Sequence, residues 1–343
     1  MTPDSYLVIG GGGFLGRHIV DLLLARGELA VAVFDIAHVD LGPTVKVFTG
    51  DIVDENALGN AIRVCGATCI IHTAAALPGR PRQDHEKINI QGTENVINTA
   101  LANGVKKLVY TSSASVVFEG KDQAGVNESA PYPARPLDDY NDTKAIAETA
   151  VLRANGTDGL ETVSLRIAGI FGPRDRLTVP GFMALMTQGR THIQLGDNTN
   201  LFDWTYIVNA AEAHLLAADR LAPEHPKHAQ VAGRVFFISN GEPRPWWNLA
   251  RGLWKEAGHV QTRKVIAIPR SVAFVLAVFM EFFGWLFGKA PSLTRFRVTV
   301  CTTIRWCDIS NARNALDYGP SIPLDEGIRQ TVEWWKTTQS HPK

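Results

Sequence analysis

A chain of 343 residues, 45% hydrophobic and 20% charged, carries enough apolar side chain for a large packed core and enough length for one big domain with an appended lobe, or for two domains. Its 34 Lys and Arg balance its 34 Asp and Glu, which excludes the basic excess of a nucleic-acid binder and the acidic tail of a disordered chain. Four scattered cysteines, Cys65, Cys69, Cys301 and Cys307, exclude a secreted disulfide framework and fit a reducing compartment.

The first apolar run, Tyr6 to Ile9, is too short for the core of a secretory leader and no cleavage pattern follows it, so a cleaved signal is not expected. It reads as a strand that runs into Gly10-Gly11-Gly12-Gly13-Phe14-Leu15-Gly16, after which Ile19, Leu22 and Leu23 continue at helical spacing. Glycines at 10, 13 and 16 allow a tight turn, let a pyrophosphate approach backbone N–H groups, and let helix pack closely on strand. Gly27 is the expected helix stop. Ala30 to Asp35 then predicts a second buried strand ending in an acid 19 residues beyond Gly16. Such an acid accepts hydrogen bonds from adenosine ribose hydroxyls and repels a 2′-phosphate, which favours NAD over NADP.

The alternation continues with a strand at 45–49 ending at Gly50-Asp51, a helix at 55–63, and a strand at 69–72 followed by Ala74-Ala75-Ala76. Small residues just past a strand's carboxyl end leave room for a flat ring, where open α/β sheets bind ligands. Cys65, Cys69 and His72 have no fourth ligand nearby, and no metal is expected. A helix at 89–103 stops at Gly104, and the strand 107–111 feeds Ser112-Ser113-Ala114-Ser115; a strand at 161–166 completes βαβ units wound into a parallel sheet. Each serine there has a ready role as a turn cap, and Ser113, ahead of Ser112, is the candidate to hold a substrate alcohol.

Tyr140 and Lys144 lie four residues apart in a helical stretch and share one face. An ammonium beside a phenol pulls its pKa down from about 10, which makes Tyr140 a candidate general base.

In this order, the glycine turn, Asp35, Gly50-Asp51, the alanines after His72, Tyr110-Thr111-Ser112-Ser113-Ala114 and Tyr140-x-x-x-Lys144 resemble an extended short-chain dehydrogenase. Ser115-Val116-Val117-Phe118-Glu119-Gly120, Gly169-Ile170-Phe171-Gly172-Pro173-Arg174-Asp175, Gly196-Asp197-Asn198 and Leu201-Phe202-Asp203-Trp204-Thr205-Tyr206, with Asn209 and His214, narrow the resemblance. It is to the decarboxylating sterol-4α-carboxylate 3-dehydrogenase branch of the 3β-hydroxysteroid dehydrogenase family, especially its fungal members. The resemblance implies a Rossmann-type doubly wound parallel sheet over 1–170 and a smaller mixed α/β substrate lobe over 171–343. It implies Tyr140 as base, Lys144 as the partner that lowers its pKa and holds the ribose, and Ser113 as the group orienting the alcohol. Around NAD it implies Gly10, Gly13, Phe14, Leu15, Gly16, Asp35, Asp51, Ile52, Ala74, Ala75, Ser112, Tyr140, Lys144 and Ile167. Ile167 departs from the proline common after Arg166 in the family, which touches cofactor geometry and substrate choice. The family pattern also sets Asp203-Trp204 and the loop after Pro173 against the substrate.

Beyond Phe171 helices at 180–188 and 209–221 mix with short strands such as 235–238, and 331–336 reads as a docked terminal helix ahead of a frayed His341-Pro342-Lys343. Ser271 to Gly288 is the most apolar stretch. A bilayer span needs about 20 apolar residues, and Glu281 at a helix centre costs about 2.5–3.5 kcal/mol on insertion scales, so an interfacial helix or the mouth of a substrate tunnel is favoured over a span. The expected setting is the cytosolic face of the endoplasmic reticulum membrane, or lipid droplets, with a sterol or triterpenoid substrate, other C4-demethylation enzymes as neighbours and room for a homodimer.

The implied reaction oxidises a 3β-hydroxyl and then loses the 4α-carboxylate as carbon dioxide; Arg80, Arg82, Arg174 and Arg176 are the candidates to bind that carboxylate. Four rivals stay open. They are the same chemistry on a fungal triterpenoid, a plain 3β-hydroxysteroid dehydrogenase, a nucleotide-sugar epimerase and a non-catalytic NAD(H) sensor.

Overall fold

The computed structural model of the chain describes residues 3–289 and 291–340, so the expected frayed end at 341–343 lies outside the described residues. Seven parallel strands form the central sheet, in the spatial order Arg234–Ile238, Glu161–Ile167, Lys107–Ser113, Cys69–His72, Tyr6–Ile9, Val31–Asp35, Lys46–Thr49. The order reverses on either side of Tyr6–Ile9, the doubly wound pattern.

Both faces of the sheet are covered, which is why its strands read as unbroken apolar runs rather than alternating ones. Successive side chains still point to opposite sides. Tyr6 and Val8, with Val33, Ile71, Val109 and Val163, face one core cluster with the helices Phe14–Ala25 and Ile207–Arg220. Leu7 and Ile9, with Ala32, Phe34, Ile70 and Leu108, face another with Glu55–Cys65, Gly92–Ala102 and Asp139–Arg153.

The expected division at 170 cuts the chain where the structure weaves it. Arg234–Ile238, placed by sequence in the C-terminal lobe, is an edge strand of the central sheet, paired in register with Val163 to Ile167. Conversely, Gln123–Val126 leaves the first half to join Arg244–Pro245, Leu201–Phe202 and Arg305–Cys307 in a four-stranded sheet over the carboxyl ends of the central strands. Local alternation shows that a strand exists, but its partner is a tertiary choice.

The helix expected from Asn89 begins earlier, at Arg82, and passes through a π turn at Glu86–Gln91 before Gly92–Ala102. A π turn inserts one residue and redirects the side chains after it. Here the Asn89 side chain accepts from the Ala76 N–H at 2.8 Å and donates to Thr143 Oγ1 at 3.0 Å, tying the alanine loop to the helix that carries Tyr140. The terminal helix spans Leu324–Ser340, longer than predicted, with Val332 buried against the body.

Arg270–Phe287 is one continuous helix of 18 residues. Only Ala273 and Ala277 are buried along it, packed on Val298 of the helix Arg295–Thr302. Glu281 is paired: its carboxylate accepts from the Arg295 backbone N–H at 2.7 Å and from Nε at 2.6 Å.

Candidate active site

A cleft of about 970 Å³ lies along the carboxyl edge of the sheet. Its floor begins where Tyr6–Ile9 ends. Gly10 takes φ +81°, a conformation that disfavours side chains, and a Cβ on Gly16 would stand 2.2 Å from the Gly10 carbonyl oxygen. Glycine is therefore required at both positions for the turn to close on the helix. The helix Phe14–Ala25 has no side-chain cap and no acidic residue in its first turn, whereas Asp54 and Asp138 cap the helices beginning at Glu55 and Asp139. Its first N–H groups and positive dipole end are left to an anion.

Asp35 closes the other side of this loop. Its Oδ2 accepts from the Gly12 N–H at 2.9 Å, which holds the carboxylate at the edge of the cleft. Asp51 and Ile52, Ala74 and Ala75, Ser112, and Ile167 line the same cleft from the ends of the next strands. Ser112 Oγ is buried without a protein partner among the described residues. A free helix N-terminus, a carboxylate at the end of the second strand and an orphaned hydroxyl deeper in are a donor and acceptor set that fits a dinucleotide, although no such group is part of this structure. Every residue of the expected cofactor set lines this one cleft.

Ser113 ends the strand Lys107–Ser113 and caps the short 3₁₀ turn Ala114–Val117, accepting from the Ser115 N–H at 3.2 Å. It is both a turn cap and a cleft hydroxyl, and its Oγ also lies 2.7 Å from Ser115 Oγ. Tyr140 enters on the first turn of Asp139–Arg153, with the His85 ring edge-on at 5.9 Å. Burial raises the Tyr140 phenol to about 12, against a smaller lowering by its hydrogen bond with Ser113.

Lys144 holds a backbone partner beside the cleft. It shares the cleft with Tyr140, yet its ammonium donates to the Thr111 carbonyl at 2.7 Å and lies 4.1 Å from the centre of the Tyr110 ring. Burial lowers it to about 7, with Glu148 pulling the other way. Spacing predicts a shared face; it does not predict which acceptor a flexible four-carbon stem finds.

The expected carboxylate ligands scatter. Arg82 is tied to Glu86, Asp139 and Asp142, and Arg174 to Asp21 at 2.6 Å. Arg80 and Arg176 line the cleft from exposed positions. Asp203 reaches the cleft, but Trp204 packs into an aromatic cluster with Phe182, Phe202 and Trp246 and does not. The sequence reading missed Phe296 and Val300, which line the cleft from Arg295–Thr302, and Arg305 on the strand Arg305–Cys307. A lone charge inside Ile304-Arg305-Trp306-Cys307 was the one signal for Arg305.

Residues 7–270 match the model of the 3-beta hydroxysteroid dehydrogenase/isomerase family. The decarboxylating sterol-4-alpha-carboxylate 3-dehydrogenases of Candida albicans and Schizosaccharomyces pombe are each 41% identical, over 96% and 99% of this chain and 97% and 100% of their own. The Homo sapiens enzyme of that name is 36% identical over 95% of this chain and 87% of its own. Among solved structures, the UDP-glucose 4-epimerase of Thermotoga maritima superposes with a TM-score of 0.75 at 23% identity, covering 97% of this chain and 99% of that one. That of Thermus thermophilus, solved with NAD, gives 0.71 at 24% identity, covering 96% and 98%. At such identities the structural likeness speaks for the fold alone.

Proposed function

Because the chain belongs to the 3-beta hydroxysteroid dehydrogenase/isomerase family, we propose that it oxidises the 3β-hydroxyl of a 4α-carboxysterol with NAD and releases the carboxylate as carbon dioxide, a step of C4 demethylation. The observation that carries the reading is the meeting of the uncapped glycine loop, Ser113 and Tyr140 in one cleft whose far wall is apolar. Full-length similarity to enzymes named for this reaction in fungi and mammals favours it over triterpenoid or simple 3β-hydroxysteroid oxidation.

The glycine loop and the helix Phe14–Ala25 would hold the pyrophosphate, Asp35 the adenosine ribose, and Lys144 with Ser112 the nicotinamide half. NAD⁺ bound there supplies a hydride acceptor and a positive charge. Ser113 positions the 3-hydroxyl, and Tyr140 takes its proton as the C3 hydride departs. Burial keeps the Tyr140 phenol protonated, so the site needs cationic charge near the hydroxyl before Tyr140 can act as a base. The C3 ketone then accepts the electron pair of the breaking C4–carboxyl bond. Tyr140, now a neutral phenol beside that oxygen, stabilises the enolate until C4 is protonated.

Membrane attachment belongs to the same proposal. At 1.5 Å per residue an 18-residue helix is about 27 Å long, near the thickness of the hydrocarbon core, and only 11% of it is buried. Phe279, Phe282, Phe283, Trp285 and Phe287 all face outward. It is tethered to the body along its length, since Arg295 meets Glu281 only 14 residues later and Val298 packs on Ala273 and Ala277. A hairpin that dips into one leaflet fits this tethering better than a span. Phe296 and Val300 on the returning helix line the cleft, so a sterol leaving the lipid would meet the cleft wall directly.

The purified chain, given NAD⁺ and a 4α-carboxy-3β-hydroxysterol, should form NADH and carbon dioxide one to one, and Tyr140→Phe should lower kcat by roughly 10²–10⁴. NADH without carbon dioxide would refute the decarboxylating reading. Normal turnover by the Phe variant would refute the base.

A further inference from the structure

Arg305 sits in a strand whose neighbours on either side are Phe202 and Gln123–Val126. Its guanidinium lies between two aromatic rings, 4.8 Å from the Phe118 centroid and 4.7 Å from that of Phe202. Among the described residues it has no hydrogen-bond or ion-pair partner, and it lines the cleft half-buried. A cation held this way has lost much of its hydration without gaining an anion.

Its position is at the reacting end of the cleft. Phe118 follows Ser113 by five residues, and Asp138, whose charge Arg305 feels without a contact pair, caps the helix of Tyr140. The other cations that line the cleft are engaged or exposed. Lys144 donates to Thr111, Lys87 faces Asp51 at 3.7 Å, Arg80 faces Asp84 at 3.5 Å, and Arg176 stands in solvent, where its charge is screened.

We propose that Arg305 is the anchor for the substrate's carboxylate, gripping it with the planar fork that suits a carboxylate while the 3-hydroxyl meets Ser113 and Tyr140. This rests on the 4-carboxysterol reading given above. The two rings fix the guanidinium plane before the substrate arrives, so little side-chain entropy is lost on binding. When the C4–carboxyl bond breaks, its electron pair moves to the C3 oxygen and carbon dioxide leaves uncharged. The ketone product has no anion for Arg305 to hold. The same residue thus selects the carboxylated substrate and loosens its hold on the product.

The test compares two substrates on the full-length protein in detergent with NAD⁺: a 4α-carboxy-3β-hydroxysterol, and the same sterol with a 4α-methyl group instead. The readout is the ratio of kcat/KM for the charged over the uncharged substrate. Arg305→Met should lower this ratio on the order of 100-fold, chiefly through KM for the charged substrate. Arg305→Lys, which keeps the charge but loses the fork, should lower it about 10-fold. NADH binding, followed by fluorescence, reports whether each variant is folded, and the Lys variant decides the matter should the Met variant fail to bind. An unchanged ratio in a folded variant, or equal losses on both substrates, overturns the role of Arg305. A wild-type protein that leaves the carboxysterol untouched overturns the substrate reading instead.

Discussion

Breaking the buried pair of Glu148 and Arg166 should destabilise the sheet beneath the reacting groups more than any surface change. Glu148 lies two turns beyond Tyr140 on Asp139–Arg153 and is fully buried. Its carboxylate accepts from Tyr132 Oη at 2.6 Å, Ser164 Oγ at 2.9 Å, Arg166 Nε at 3.0 Å and Arg166 Nη2 at 2.7 Å. Arg166 has only 4% of its side chain exposed and lies over the Tyr132 and Phe237 rings. Glu148→Ala leaves that guanidinium buried without a counter-charge, which costs about 3–5 kcal/mol. With about 2 °C of melting temperature per kcal/mol at this size, the midpoint should fall by about 6–10 °C. The double variant Glu148→Met, Arg166→Met removes both charges together and should melt above either single variant, since a lone buried charge is worse than none. Thermal melts by circular dichroism decide it. A Glu148→Ala midpoint within about 1 °C of wild type, or a double variant whose losses simply add, would show that the pair is not what joins this helix to the sheet.

Asp35→Ala should lower kcat/KM for NAD about tenfold while leaving NADP less affected, because a carboxylate hydrogen bond worth about 1.5 kcal/mol goes with it; an unchanged preference between the two cofactors in steady-state assays would count against Asp35. Burial pushes His72 down to about 3 and His214 to about 4, so both stay neutral in the fold while the unfolded chain takes up protons below about 6.5. Stability should therefore fall as pH drops from about 6.5 toward 4, by roughly 2 kcal/mol per residue between pH 7 and 5. Urea midpoints at those two pH values should show a smaller drop for His214→Gln, and an equal drop would contradict the assignment. For the proposed membrane hairpin, Phe282→Asp with Phe283→Asp should move the protein from the floating liposome layer to the bottom of the gradient in a flotation assay, and continued co-flotation would argue for another attachment.

Much of the nucleotide half was legible along the chain because its signals are local. Gly10 and Gly16 are needed by a turn only seven residues long, and Asp35 is bound to that turn through Gly12. Tyr6–Ile9 and Cys69–His72 announce burial on both faces through composition alone. The four-residue spacing of Tyr140 and Lys144 likewise sets both on one helix face.

What the sequence did not reveal depends on contacts between distant segments. The pattern at 234–238 marks a strand, but its place beside Glu161–Ile167 follows from which sheet edge remained open. Lys144 turns to the Thr111 carbonyl because the bond is available across the strand, a choice invisible in spacing. Arg305 reads as an ordinary charge until Phe118 and Phe202, 187 and 103 residues earlier, close around it. The apolar helix Arg270–Phe287 had the composition of a core element or a membrane element, and only the fold shows that most of its large apolar side chains point outward while Ala273 and Ala277 pack on Val298. Sequence determined the backbone of the nucleotide site because glycine sterics and strand burial act over a few residues. Tertiary structure decided charge partners and substrate walls, since these act across folded space.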